Sequence, residues 1–289
     1  MLKIGIILNY RNYQQTISCC THLLKAGIDQ VTIVDNDSPN DSFHRLHEFF
    51  GQNMRVSILK TDANLGYAQG NNIGLRAVEN KFGIADDHIL FIVNPDSLLS
   101  PENIEQVATF CLSHPEAGTV TIPQKGNPKT AWHNLTKKRA LLYNSRIFSK
   151  LAYRFGKHEE VVPYKLNQSV HKNIKVDVNS GAFFAIRQVT FSKVGYFDSE
   201  TFLYYEEQAL AFKLQQRGFQ SYLLLTSSYI HEGQGSTQLT TRKVLGYYQQ
   251  SRRYLLTQYL HAGSLALWFY DWTIRLEDVL ARDLPSGKA

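Results

Sequence analysis

The chain reads as an α/β protein built on a mostly parallel sheet with helices on both faces. Three observations predict this. Short apolar runs alternate with helix-period segments along residues 3–122, the rhythm of βαβ units. The apolar runs are bounded by turn residues, as buried strands are. One of them, Phe91-Ile92-Val93-Asn94-Pro95-Asp96, ends abruptly in a lone carboxylate, at the strand end where open α/β sheets bind ligands.

Taken in order, residues 3–9 form the first strand and Tyr10-Arg11-Asn12-Tyr13 a loop. Residues 14–26 carry apolar groups at helical spacing, with Gly27 as the stop. Val31–Val34 is a second strand ending at Asp35, residues 42–50 a helix, and Arg55–Leu59 a third strand. Gly70–Asn80 reads as a helix, residues 88–93 as a fourth strand, and Pro101 opens a helix to about His114. Gly118–Ile122 is another strand. Residues 125–175 then lose the alternation and collect lysines, arginines and aromatics, and the pattern resumes over Val176–Ile186. Residues 242–283 are helical in pattern and rich in Tyr, Trp and Leu. The expected organisation is a main domain over 1–240, with the basic, aromatic stretch 125–175 as an insertion, and a helical C-terminal extension over 241–289. The insertion suits an anionic acceptor or an anionic lipid surface, and its plainer reading is a solvated basic surface. The extension has three available partners: the main domain, a twin chain in a homodimer, or a bilayer surface. No internal repeat or low-complexity tract interrupts the chain.

At 289 residues, 43% hydrophobic and 19% charged, the composition is that of a globular protein able to bury a substantial core. The net charge of +6 is modest, and with no recognition signature it argues against nucleic acid as a partner. Cys19, Cys20 and Cys111 lack metal-ligand spacing and fit a reduced, cytoplasmic protein better than a disulfide scaffold. The apolar run at Met1–Asn9 is too short for a signal peptide. No uncharged stretch of about twenty residues is present to span a membrane.

Several residues have side chains suited to chemistry. Asn9, Tyr10 and Asp35 end the first two strands, where a ring to stack on and an acceptor for a ring N–H suit a uracil or thymine base. Asp35 also begins an ordinary turn. Asn64–Gly74 is rich in Gly and Asn and leads into a helix, whose N-terminal amides favour phosphate. It lacks the Gly-Lys-Ser/Thr of a Walker A loop and does not follow the first strand as a dinucleotide fingerprint does. Asp96 is a hard oxygen ligand for Mg²⁺ or Mn²⁺ on a diphosphate. Asp86-Asp87, ahead of the strand, read as a solvated turn. His231 follows the apolar run Tyr222–Leu225 and offers an imidazole as a second metal ligand. Glu206-Glu207 open a helix, where burial would raise a carboxylate toward a working general base. Gly181 would let a sugar approach the backbone closely.

Taken together, Val34–Ser38, Asn64–Gly74, Phe91–Asp96 and Tyr204–Glu207 resemble the inverting family 2 glycosyltransferases, particularly the rhamnosyltransferase-like branch, over roughly residues 3–240. The resemblance implies a GT-A fold, a nucleoside diphosphate sugar donor and a divalent cation, Mg²⁺ or Mn²⁺. It implies that Asn9, Tyr10 and Asp35 hold the nucleoside and that Asn64, Gly66 and Asn71 border the donor. Asp96 and His231 would hold the metal, and Ser236 would belong to a phosphate-side loop. Gly181 would sit on the acceptor side, with Glu207 as the base and Glu206 as the alternative. Three departures stand out. Asn94 occupies the first acid position of an Asp-X-Asp pattern, Glu207 replaces an Asp, and Ala209 replaces an acid. The implied reaction moves rhamnose from dTDP-rhamnose, or a hexose from its UDP donor, to a glycan or lipid-linked acceptor in bacterial surface polysaccharide synthesis. Its implied place is the inner face of the cell membrane, with peripheral membrane contact. Two rivals are a catalytically silent partner of a synthase and a sugar nucleotidyltransferase. The second would need a Gly- and Lys/Arg-rich loop where Asn9–Tyr13 stands.

Overall fold

The computed structural model describes residues 1–127, 129–144, 154, 161–164, 172–232 and 241–282. Most of the basic segment and the loop carrying Ser236 lie outside them. Strands β1 (Leu2–Asn9), β2 (Gln30–Asp35), β3 (Val56–Lys60) and β4 (His88–Val93) form a parallel half-sheet. They alternate with α1 (Tyr13–Lys25), α2 (Ser42–Phe50) and α3 (Gly66–Phe82). After the short β5 (Ser97–Leu98) come α4 (Pro101–Ser113) and β6 (Ala117–Thr121). The middle of the chain supplies β7 (Ala131–Trp132), α5 (Lys137–Leu142), β8 (Asn173–Val176), β9 (Val178–Asn179) and β10 (Phe183–Arg187). Then follow α6 (Gln188–Lys193), α7 (Glu206–Gln216), β11 (Gln220–Leu224), β12 (Ile230–His231), α8 (Thr241–Gln258) and α9 (Ser264–Arg282).

The eight-stranded sheet runs β3-β2-β1-β4-β10-β6-β11-β8. Within it β10 lies antiparallel to both β4 and β6, and β8 antiparallel to β11. The apolar run of a buried strand identifies β10 but not its direction. Direction is set by how the chain returns to the sheet, which short apolar periodicity does not record.

Side chains alternate across the sheet, so each strand feeds two cores. Ile7, Phe91, Val93 and Phe183 pack with Cys19, Leu23, Leu46 and Val107 of α1, α2 and α4 on one face. Ile4, Ile6, Leu90 and Phe184 pack with Leu75, Phe191 and Leu210 of α3, α6 and α7 on the other. Helices therefore cover both faces, as the near-continuous apolar strands require.

Local signals explain several boundaries. Ser100 and Asn103 form a reciprocal capping box and Pro101 opens α4. α3 starts four residues before Gly70 because a distant residue caps it: Asn36 Oδ1 accepts from Leu65 N at 2.9 Å, and Asn36 Nδ2 donates to Gly66 O at 3.0 Å. The C-terminal pattern divides into two helices at a turn where His261 has φ +47°. Leu255, Leu256 and Tyr270 of α8 and α9 pack with Ala140, Tyr205 and Ala209 in a third core. Tyr254 and Tyr259 both donate their hydroxyls to Asp198, ahead of α7.

Candidate active site

Asn9, Asp35 and Asp96 lie at or just past the carboxyl ends of β1, β2 and β4. Asn9 and Asp35 are register partners with no solvent exposure. Asn9 Nδ2 donates to Asp35 Oδ2 at 2.6 Å, and Asn9 Oδ1 accepts from the Thr16 hydroxyl at 2.7 Å. Asp35 also accepts from Ser38 N and Ser38 Oγ, at 3.0 and 2.8 Å. Three of its roughly four acceptor sites thus brace Asn9 and the loop after β2. Tyr10 is half-exposed beside it, with the Arg11 guanidinium 5.0 Å from its ring centre.

Asn64 and Asn71 also serve the framework. Asn64 Oδ1 accepts from Gly66 N and from Asn36 Nδ2, each at 3.0 Å. Gly66 has φ +76°, and a Cβ there would lie 2.0 Å from the carbonyl oxygen of Phe202. Only glycine fits that approach. Asn71 is buried and donates to Tyr67 O at 2.9 Å, leaving its Oδ1 without a partner.

Past β4, a two-stranded pairing of β5 with β12 places His231 opposite Ser97. This brings His231 Nε2 to 3.0 Å from Asp96 Oδ1, yet out of hydrogen-bond alignment. The Gln124 side-chain amide lies 3.1 Å from His231 Nδ1 and orients the ring. Two ligands of an octahedral cation with bonds of about 2.1 Å sit about 3 Å apart when adjacent, so the pair fits Mg²⁺ or Mn²⁺. Among the described residues no cluster of three or more His, Cys, Asp or Glu surrounds it. A cation there would take its other oxygens from a diphosphate and water, as Mg²⁺ commonly does.

Glu206 and Glu207 open α7. The two residues before them, Tyr204 and Tyr205, have φ of +73° and +69°. Left-handed backbone costs about 1–2 kcal/mol per non-glycine residue, and such strain concentrates at functional sites. Glu207 is half-buried, and its Oε1 accepts from Gly181 N at 3.1 Å. Glu206 is buried with Oε1 lacking a partner. Burial first, and then the charge of Glu207, push Glu206 up to about 8. Burial also raises Glu207, while the amides of Glu207 and Gly181 pull it back down. The two carboxyls titrate as a pair, which holds a proton to higher pH than ordinary carboxylates do.

Glu206, Glu207, Gly181 and His231 face one cavity of about 450 Å³. Asn9, Tyr10, Asp35, Asn64, Gly66, Asn71 and Asp96 stand outside its lining. The turn around Gly181 links β4 and β5 to the start of α7. The Tyr67 hydroxyl donates to Gly181 O at 2.7 Å, while Ala182 O accepts from Asn94 N at 2.9 Å and from Ser97 Oγ at 3.1 Å. Burial, with the charge of Glu207 adding, pushes the Tyr67 phenol up and keeps it a donor. A Cβ on Gly181 would lie 2.7 Å from Glu207 Oε1. Gly181→Ala should therefore displace the carboxylate and cut turnover by about 10- to 100-fold while the fold survives; kcat beside a melting curve checks this.

Lining residues outside the quoted motifs include Trp132, Val161, Leu203, Gln208 and Tyr248. Tyr67 sits inside the Asn64–Gly74 segment, but only the fold reveals its reach to Gly181. Gln124 has no sequence signal. The cysteines are free and buried, and burial pushes the Cys20 and Cys111 thiols up to about 12; such thiols are inert.

Known proteins place this geometry in context. N-acetylglucosaminyl-diphospho-decaprenol L-rhamnosyltransferase of Mycobacterium tuberculosis is 24% identical over 228 residues, 76% of this chain and 72% of that protein. Rhamnosyltransferase WbbL of Escherichia coli (strain K12) is 23% identical over 166 residues, 57% of this chain and 60% of its own length. The fold matches GalNAc-T7, solved with UDP, GalNAc and Mn²⁺, at a TM-score of 0.63 and 12% identity, covering 98% of this chain and 55% of that one. It also matches the mannosyltransferase PcManGT from Pyrobaculum calidifontis, in complex with GDP-Man and Mn²⁺, at a TM-score of 0.58 and 11% identity, over 99% of this chain and 76% of that one. The sheet with its two helical layers is thus the GT-A architecture. The sequence model of glycosyl transferase family 2 matches residues 6–195, about two thirds of the chain, and the protein belongs to that family.

Proposed function

We propose that this chain transfers a sugar, with inversion, from a nucleoside diphosphate donor to a hydroxyl of a glycan or lipid-linked acceptor. The observation that supports this most is the shared cavity, with a carboxylate pair on one wall and His231, backed by Asp96, on another. Glu207 takes the acceptor hydroxyl's proton as that oxygen attacks the anomeric carbon. Gly181 N–H holds the carboxylate in place for that transfer. A proton retained by the pair limits repulsion between the two groups. Asp96 and His231 hold the divalent cation, which when bound offsets the charge that develops on the diphosphate. Tyr10 and the loop braced by Asn9 and Asp35 receive the nucleoside, and the α3 start capped by Asn64 lies beside the phosphates.

The two relatives named as rhamnosyltransferases favour dTDP-rhamnose as the donor, with UDP-hexoses next. The second relative's name favours a polyprenyl-diphosphate sugar as the acceptor. No described helix is long and apolar enough to cross a membrane. α9 nevertheless leaves Leu265, Trp268 and Trp272 exposed along one face. This aromatic stripe suits the headgroup layer of a bilayer, where such an acceptor resides. Trp268→Ala with Trp272→Ala should then reduce co-sedimentation with anionic vesicles. Unchanged binding to the vesicles, or conversion of a dimer to a monomer, would remove that reading.

Thermal shift and calorimetry with UDP, dTDP and GDP, each with Mn²⁺ and with EDTA, test the donor site, because a ligand of the folded state raises its stability. Metal-dependent stabilisation by dTDP or UDP is expected. Indifference to all three nucleotides would leave a silent partner of a synthase as the better reading.

A further inference from the structure

Phe202, Leu203, Tyr204 and Tyr205 form the turn that delivers Glu206 and Glu207 to the cavity, and α8 grips each of them with its own side chains. The Tyr247 ring stacks on Phe202 with centroids 4.6 Å apart. Ser251 Oγ donates to Leu203 O at 3.1 Å. Tyr248 lies flat on Tyr204, centroids 3.8 Å apart and planes 8° from parallel, and meets Tyr205 edge-on at 5.8 Å. Arg252 Nε donates to the Tyr205 hydroxyl at 2.8 Å, and Arg252 Nη1 donates to Tyr143 O at 2.8 Å. Tyr247, Tyr248, Ser251 and Arg252 fall on one face of the helix by their spacing. From the opposite side, Tyr67 N donates to Phe202 O at 2.8 Å.

This grip answers a need in the turn. Tyr204 and Tyr205 are consecutive left-handed residues, and neither is a Gly, Asn or Asp that tolerates the conformation. Such backbone persists only where its surroundings over-determine it. Arg252 also argues against α8 as mere cover. It is a charged side chain only 4% exposed, where an apolar residue would shield the turn without the desolvation cost. Neither the turn nor the gripping residues lie within the matched region, 6–195.

We propose that α8 is a splint for the catalytic turn and that Arg252 is its positioning residue, setting the direction in which Glu206 and Glu207 enter the cavity. The proposal rests on the reading of that pair as the reacting carboxylates. Arg252 acts through Tyr205 and touches neither substrate. Losing its contact lets the turn relax toward ordinary backbone and swings Glu207 away from Gly181 N.

The test uses the full chain with Arg252→Met, Arg252→Lys and Tyr205→Phe. Arg252→Met should lower kcat by about 10²-fold, with donor KM and the dissociation constant for dTDP or UDP within about threefold of wild type. Arg252→Lys should recover part of the loss. Tyr205→Phe removes the same hydrogen bond, so the double variant Arg252→Met/Tyr205→Phe should be no worse than Arg252→Met alone. In hydrogen exchange, amides 203–209 should lose protection in both single variants while those of α1 and α3 do not. Wild-type turnover and exchange in Arg252→Met and Tyr205→Phe would overturn the splint. So would a protection loss spread over the whole domain, since that marks a general folding role. If the wild-type chain transfers no sugar, the proposed activity fails, and the exchange comparison still decides whether α8 holds the turn.

Discussion

Replacing Glu207 by Gln is expected to lower kcat/KM for sugar transfer by about 10²- to 10⁴-fold, the range for loss of a general base, with little change in nucleotide affinity. Gln keeps the length of Glu207 and its contact with Gly181 N but cannot accept the hydroxyl proton. The same role fixes the sign of the pH profile. Burial raises the pair above ordinary carboxylates, so transfer should be lost as pH falls and Glu207 gains a proton. The acid limb belongs to the pair as a macroscopic value. Burial, not the charge of Glu206, raises Glu207, so Glu206→Gln should leave that limb near its wild-type position. It should also change stability in a defined window. Glu206 ordinarily ionises near 4.5 and in the fold near about 8, so the folded protein keeps a proton that the unfolded chain releases between those values. That contribution is full below the unfolded value and is lost as pH rises through the folded one. The melting temperature of Glu206→Gln should therefore gain on wild type from about pH 4.5 to about pH 8 and level off above. A parallel fall of nucleotide affinity and turnover in Glu207→Gln would instead mark Glu207 as a structural brace.

The second large effect concerns the cation. Asp96→Asn and His231→Ala should each abolish most of the Mn²⁺-dependent stabilisation by dTDP or UDP, leaving the nucleotide's weak metal-free binding. The proposed site has two protein ligands, and no larger cluster of His, Cys, Asp or Glu is present among the described residues, so removing one leaves a single ligand. Gln124→Ala should give a milder version, about 10- to 100-fold in metal affinity, because an outer partner fixes the ring that ligates. Calorimetric titration of Mn²⁺ with saturating nucleotide reads both. Equal Mn²⁺ affinity in wild type and His231→Ala would remove His231 from the site, and the same result in Asp96→Asn would remove the carboxylate.

Most of the sheet was legible because buried strands advertise themselves. The pattern reading of residues 88–93 coincides with β4, and α2 was read over the residues it occupies. α3 was read four residues short, since its start depends on Asn36 reaching across from the end of β2. The C-terminal pattern read as one helical stretch breaks at His261, a left-handed residue that periodicity does not reveal. At the candidate site, Asp96, His231 and Glu206-Glu207 were nominated from motifs, and the structure brings His231 and the glutamates to one cavity. Tyr67, Gln124 and Arg252 were not nominated, because each acts through a partner far away in sequence: 114, 107 and 47 positions respectively.

Sequence by itself determined the alternation of strands and helices, the family, and the residue types available for chemistry, since all three are written in local periodicity and short motifs. Tertiary structure alone decided which of those residues meet. The antiparallel insertion of β10 carries Gly181 to Glu207, the β5–β12 pairing carries His231 to Asp96, and α8 closes over the strained turn before α7. Each is a long-range contact, whose chain-closure cost is repaid only by the packing of the whole fold, and no window of neighbouring residues records it.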